Sequence, residues 1–295
     1  MNKGIWYALG AYALWGIFPI YWKWLAHVPA LQLIGHRIIW SFLMLLVVIL
    51  ATKRWKAFRA ILSGRILLVY LAAGLLLSTN WLIYVWAVNA DYIVETSLGY
   101  FINPLFSVVL GVVFLKERLR LTQWLPVAIA ALGVLYLAFV YGSLPWIALS
   151  LAATFGIYGL VKKVASLGSL FGLTLETGLV FLPALVYLIY SEVQRAGAFM
   201  HTGLRADILM LGAGLVTIVP LLLFASAAKR IPLTMVGIMQ YIAPTLQFLI
   251  GVLVFKEPFT SAKLVGFSMV WLALVLFWGE GIVMRRAQGK ALPAA

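Results

Sequence analysis

Ile102-Asn103-Pro104, followed by Gly111-Val112 and closed by Lys116-Glu117, returns as Ile242-Ala243-Pro244, followed by Gly251-Val252 and closed by Lys256-Glu257. The offset is 140 residues (244 minus 104). Working outward, the same offset pairs Gly16, Ile17 and Lys23 with Gly156, Ile157 and Lys163, and Ala73-Gly74-Leu75 with Ala213-Gly214-Leu215. Two halves therefore share one plan without an insertion, and in a membrane protein such a repeat points to a transporter.

Composition supplies the membrane. Of 295 residues, 65% are hydrophobic and 10% charged, with a mean hydropathy of +1.07, which is more apolar surface than one soluble core can hide. Apolar stretches of about twenty residues suffice to cross roughly 30 Å of hydrocarbon. Ten of them cover 4–24, 31–51, 66–88, 93–115, 121–141, 145–164, 171–190, 205–228, 233–255 and 260–282. The expected fold is an all-α integral membrane protein with ten transmembrane helices, arranged as two inverted five-helix repeats around a central cavity. The repeats take residues 1–141 and 142–284, and residues 285–295 form a basic cytoplasmic tail. No connection is long enough for a separate soluble domain, and the first apolar stretch lacks a small-residue cleavage site, so it is expected to be retained.

The net charge of +14 does not mark a nucleic-acid partner, because the basic residues gather beside helix ends instead of forming a stripe interleaved with aromatics. Topology accounts for them better. A cytoplasmic N-terminus puts sixteen basic residues inside, among them Lys53, Arg54, Lys116, Lys162, Lys163, Lys229 and Arg285, against Lys23, Arg195, Arg205, Lys256 and Lys263 outside. Positive-inside thus favours two cytoplasmic termini. Five crossings per repeat also force the second copy to enter from the opposite side, with Lys116 inside and Lys256 outside. An inverted pair offers two related conformations and a ligand site near the midplane. The bland alternative is a duplicated scaffold without a cavity. The absence of cysteine removes disulfides, thiolate metal sites and palmitoylation.

Several motifs resemble a known family: Ala13-Leu14-Trp15-Gly16 with Pro19, His36-Arg37, Ser97-Leu98-Gly99-Tyr100-Phe101-Ile102-Asn103-Pro104-Leu105 with Lys116-Glu117, and Tyr241-Ile242-Ala243-Pro244 with Lys256-Glu257. In this order and spacing they resemble the RarD branch of the EamA drug/metabolite transporters, over essentially the whole chain. The resemblance implies a ten-helix bundle with a central cavity that exports small metabolites or toxic compounds across the bacterial inner membrane. It names no substrate, since members carry very different solutes.

Among candidate site residues, Pro19, Pro104 and Pro244 each remove a helical hydrogen bond and expose the carbonyls of Trp15, Tyr100 and Gln240. Tyr100 and Gln240 are repeat equivalents, so both halves bring a bare carbonyl and a polar side chain to matching depths, which membranes tolerate beside protein or a cavity; simple packing kinks are the alternative. Asn80 matches Pro220 (220 minus 80), so both copies are expected to interrupt regular helix there. Asn80, Tyr84, Asn103, Tyr158, Gln240 and Gln247, with Trp15, Trp81 and Tyr241, outline a neutral, aromatic, sparsely polar cavity. It suits amphipathic or aromatic solutes better than phosphorylated ones, although Trp and Tyr also form interfacial belts.

Four ionisable groups are candidates for gating or coupling: His36, Arg37, Glu95 and Glu176. Arg37 lies about 9 Å below the nearer membrane boundary by helical rise. In lipid it would cost about 2.5–3.5 kcal/mol, so it should face the bundle, and Glu95 is at a compatible depth to pair with it. Glu176, among Leu173, Leu175 and Leu179, reads as an isolated carboxylate able to exchange a proton, with His36 as its repeat partner (176 minus 36). A static helix–helix hydrogen bond is the alternative.

The expected partners are a small-molecule substrate, the bilayer and, through Glu176, protons; a monomer is compatible, and no metal or cofactor is implied. An intramembrane enzyme is a poor rival, because His27, His36 and His201 lack ligand spacing and no HExxH or GxSxG motif is present. Ser97-Leu98-Gly99-Tyr100 occurs once and lacks a pore helix before it, which weakens a channel reading. An importer, or a polytopic interaction partner without transport, would leave the composition unchanged.

Overall fold

A computed structural model describes residues 2–89, 93–141, 146–254 and 261–290. Among the described residues the chain is all-helical: α1 (Lys3–Trp24), α2 (Ala30–Ala51), α3 (Trp55–Ala60), α4 (Gly64–Asn89), α5 (Ile93–Val113), α6 (Leu121–Tyr141), α7 (Trp146–Val164), α8 (Ser169–Leu179), α9 (Phe181–Val193), α10 (Leu204–Ala228), α11 (Leu233–Gln240), α12 (Ile242–Leu253) and α13 (Ser261–Lys290). By length and composition, α2, α4, α6, α7 and α10 can each cross a membrane, and α8 with α9, bent by 44°, make a sixth span. The sequence led us to expect ten. The helix α1 misses that criterion because Trp6, Trp15, Trp22 and Trp24, three tyrosines and two lysines dilute its aliphatic content.

Prolines act differently from expectation. Helices α1, α5 and α10 run through Pro19, Pro104 and Pro220 without a break, and α4 runs through Asn80. The expected interruption at Asn80 and Pro220 is therefore corrected: a missing N–H inside a long apolar helix leaves one orphan carbonyl, and neighbouring helices can satisfy it. The breaks fall instead at Val180 and Tyr241. Each lies three residues before a proline, Pro183 or Pro244. The preceding helices end at Leu179 and Gln240, the residues four back, whose carbonyls the proline rings would strike.

Leucines on the periphery remain uncovered by protein. Leu68, Leu75 and Leu82 recur every seven residues along α4, and Leu121, Leu125, Leu132 and Leu135 follow at helical spacings of four, seven and three along α6; all are exposed. In water such a surface would be a liability, whereas in hydrocarbon it is the expected outer face. Where helices meet, small residues let backbones approach. A Cβ on Gly16 would come within 2.6 Å of Leu246, and one on Gly156 within 2.5 Å of Phe106. Leu246 and Phe106 are themselves 140 positions apart (246 minus 106), so the two halves repeat the same contact. A Cβ on Gly74 would come within 2.9 Å of the Glu176 carbonyl oxygen, and one on Gly214 within 2.7 Å of the Trp40 backbone. Thus α1 packs on α12 and α10, while α7 packs on α5 and α4.

Candidate functional site: an aromatic cavity between the halves

A cavity of about 230 Å³ opens between α1, α2, α4, α5, α7, α10, α11 and α12. Of the residues chosen from sequence, Trp15, Asn80, Tyr84, Tyr100, Asn103, Gln240 and Gln247 line it, together with Arg37, Pro19 and Pro244. Four lining pairs are repeat equivalents at the 140-residue offset: Trp15 and Phe155, Trp81 and Leu221, Tyr100 and Gln240, Asn103 and Ala243. Each half thus contributes the same helix faces.

The polar atoms have specific tasks. Pro19 frees the carbonyl of Trp15, and Gln247 Nε2 donates to it at 3.0 Å, so the orphan acceptor created by one half is satisfied from the other. Asn80 Nδ2 donates to the Leu151 carbonyl and to Thr154 Oγ1, both at 2.9 Å, tying α4 to α7. Tyr84 and Tyr100 meet edge to face with ring centres 5.9 Å apart. Asn103 and Tyr12 are among the lining residues, but Asn103 Oδ1 and the Tyr12 hydroxyl are themselves buried and have no hydrogen-bond partner.

Arg37 sits at one end of the chamber. Its Nε donates to Thr217 Oγ1 at 3.0 Å, and its guanidinium carbon lies 4.1 Å from the ring centre of Trp81 and 4.9 Å from that of Trp22. The side chain of Glu95, expected opposite it, lies outside the described residues. Trp22 and Thr217 were not singled out from sequence. Neither carries a local signal, and only the helix packing brings them to Arg37.

At the other end, aromatic rings close the chamber. Trp15 meets Phe155 edge-on at 5.7 Å, Phe155 meets Tyr158 at 5.8 Å, and Tyr158 stacks on Phe224 at 6.0 Å. Beneath them the reading of Glu176 as isolated is corrected. Glu176 Oε1 accepts from Lys162 Nζ at 2.6 Å and Oε2 from the Tyr158 hydroxyl at 3.0 Å, with both charged side chains almost fully buried. Lys162, which the charge distribution assigns to the cytoplasmic side, thus belongs to the interior. The available signal was its spacing four residues after Tyr158, which puts both on one face of α7.

Tyr158 and Tyr241 do not line the cavity: the first is committed to Glu176, and the second is buried at the α11–α12 break. His36 also lies outside it, its Nδ1 accepting from Trp40 Nε1 at 3.2 Å. Pro104 is absent from the lining, and Pro220 borders a separate apolar groove between α1 and α10.

Glu117, half of the repeated Lys-Glu motif, caps a distant helix. Its carboxylate accepts from the backbone N–H of Leu233 at 2.7 Å and of Thr234 at 2.9 Å, satisfying the first orphan donors of α11 where the helix dipole favours an anion. Lys163 Nζ donates to the Ile231 carbonyl at 2.6 Å and Lys229 Nζ to the Ala165 carbonyl at 2.5 Å. These clasp the loops at the same end. Burial, and then the Lys162 charge, hold the Lys229 pKa below its usual value. The second motif, Lys256-Glu257, lies outside the described residues.

A helical bundle with a leucine-rich outer face and an aromatic, sparsely polar inner chamber corresponds to the multi-pass membrane transporters. The sequence profile of the EamA-like transporter family matches residues 2–139. The chain is 50% identical to the protein named uncharacterized transporter YojE of Bacillus subtilis (strain 168), over 97% of each chain. It is 39% identical to Protein RarD of Escherichia coli (strain K12), over 98% of each. A solved crystal structure shares its fold with a TM-score of 0.69 at 14% identity, covering 93% of this chain and 96% of the other. The chain belongs to the EamA-like transporter family, among its RarD-like members.

Proposed function

We propose that this chain is a secondary carrier that exports small amphipathic or aromatic metabolites or drugs across the bacterial inner membrane by alternating access. The observation that carries the reading is the symmetry of the cavity: repeat-equivalent residues of both halves line one chamber. Counting α3 as a surface helix and each broken pair, α8–α9 and α11–α12, as one crossing, the thirteen helices of the described residues reduce to ten (13 minus 1 minus 2). Residues 1–141 and 142–284 are then two inverted units with both termini cytoplasmic. The paired glycine contacts support this, since Gly16 on Leu246 and Gly156 on Phe106 are the same joint used twice.

In this scheme the chamber is closed towards the cytoplasm by the aromatic floor, the Lys162–Glu176 pair and the Glu117 cap, and rearrangement of these with Arg37 and Glu95 exposes the other side. Proton exchange at Glu176 would have to break the Lys162 pair. Transport by Glu176→Gln that keeps its full dependence on a pH gradient would remove that coupling role. A relative 29% identical to this chain, from Pseudomonas aeruginosa, bears the name chloramphenicol-sensitive protein RarD, which supports including an aromatic antibiotic among candidate solutes.

The test is counterflow. Purified protein in liposomes, preloaded with one member of a panel of aromatic metabolites, amino acids and chloramphenicol, should accumulate the labelled form of a carried solute with saturable kinetics. Flux that never saturates and shows no counterflow would sink the carrier reading in favour of a channel.

A further inference from the structure

Among the described residues that line it, the chamber carries one formal charge and no counter-charge. Arg37 is the cation. Its Nε is spent on Thr217, and no described residue accepts from either terminal nitrogen. The indoles of Trp22 and Trp81 cover the guanidinium. Such rings stabilise the charge by cation–π attraction and shed its water, but they offer nothing for its edge N–H groups to donate to. A cation removed from water with donors unspent is costly, and a planar carboxylate that accepts two parallel N–H bonds is the partner its fork geometry fits.

The remaining lining narrows the choice. Besides Arg37 the chamber is lined by the aromatic side chains of Trp15, Tyr84, Tyr100 and Phe155, among others. The other lining residues are apolar or carry neutral amides, and among the described lining residues there is no aspartate or glutamate to receive an ammonium group. A single guanidinium balances one negative charge, not the two of a phosphate monoester. The volume of about 230 Å³ lies below the roughly 300–1,000 Å³ usual for drug-sized ligands.

We propose that the carried solute is a small organic monoanion, a carboxylate on a flat apolar or aromatic body, with the carboxylate seated on Arg37 and the body between the aromatic walls. This rests on the carrier reading above and adds the charge of the cargo.

The test uses the purified full chain in detergent, titrated with phenylacetate, phenylacetamide, phenylglycine and benzylamine while tryptophan fluorescence is followed. These probes share one ring and differ in charge. Phenylacetate should bind about tenfold or more tightly than phenylacetamide, the worth of hydrogen bonds to a charged group, and benzylamine should bind least. Arg37→Gln should abolish the difference between acid and amide, Arg37→Lys should keep part of it, and Glu95→Gln should preserve or sharpen it. Equal binding of acid and amide by the wild-type chain, or a preference that survives Arg37→Gln, overturns the anion inference. If counterflow of a neutral solute is then still observed, the carrier reading stands alone. Binding of none of the probes, with no counterflow of any solute, overturns both.

Discussion

Lys162 and Glu176 form a contact whose energetics depend on both partners being present. Each is almost entirely out of water, so removing one leaves an uncompensated charge, at a cost of about 3–5 kcal/mol, whereas replacing both by apolar groups of similar size is often neutral. Lys162→Met should therefore lower the thermal unfolding midpoint in detergent sharply, and Lys162→Met combined with Glu176→Leu should recover most of the loss. Additive effects in that cycle would mean the two side chains are not coupled. From sequence, Glu176 stood out because a lone carboxylate in an apolar helix demands an explanation. Its partner did not, because Lys162 beside Lys163 near a helix end reads as a membrane-boundary pair. Only the rotation of α7 about its axis sends Lys162 inward to Glu176 and Lys163 to the Ile231 carbonyl.

At the scale of elements, the proline and Lys-Glu punctuation works through neighbouring helices as much as through its own. Glu117 supplies the cap that α11 lacks locally, since Pro232 at its N-cap makes no side-chain hydrogen bond. Glu117→Ala should cost about 1.5–3 kcal/mol, the range for a hydrogen bond to a charged group. The check is a lower thermal midpoint together with faster amide exchange confined to Leu233 and Thr234. Unchanged exchange there would discount the cap. The recurrence of Lys-Glu was plain in the sequence, but its partner lies 116 residues away (233 minus 117). The break before Pro183 passed unremarked because no polar residue flanks it, and the break before Pro244 appears at Tyr241, where the preceding helix can end before meeting the ring.

For the whole molecule, the proposal of two inverted units makes a topological prediction that the absence of cysteine renders simple to check. Single cysteines at Ser63, Ser166 and Thr202, all exposed, should separate by side in intact cells under an impermeant thiol reagent. Thr202→Cys should react from outside, while Ser63→Cys and Ser166→Cys should react only after permeabilisation. Labelling of Ser63→Cys and Thr202→Cys from the same face would contradict an inverted arrangement.

The sequence by itself determined that this is a helical membrane protein with two halves 140 residues apart, and it named most of the polar and aromatic groups around the chamber. Those properties are carried by composition, period and repetition, which neighbours along the chain express without help. Tertiary structure alone decided that Tyr158 and Tyr241 turn away from the cavity, that Gln247 reaches the Trp15 carbonyl, and that Thr217 and two indoles enclose Arg37. These outcomes depend on how closely helices approach and how each is rotated about its axis. That is set by contacts such as Gly156 on Phe106 and Gly214 on Trp40, made between segments that the linear order keeps far apart.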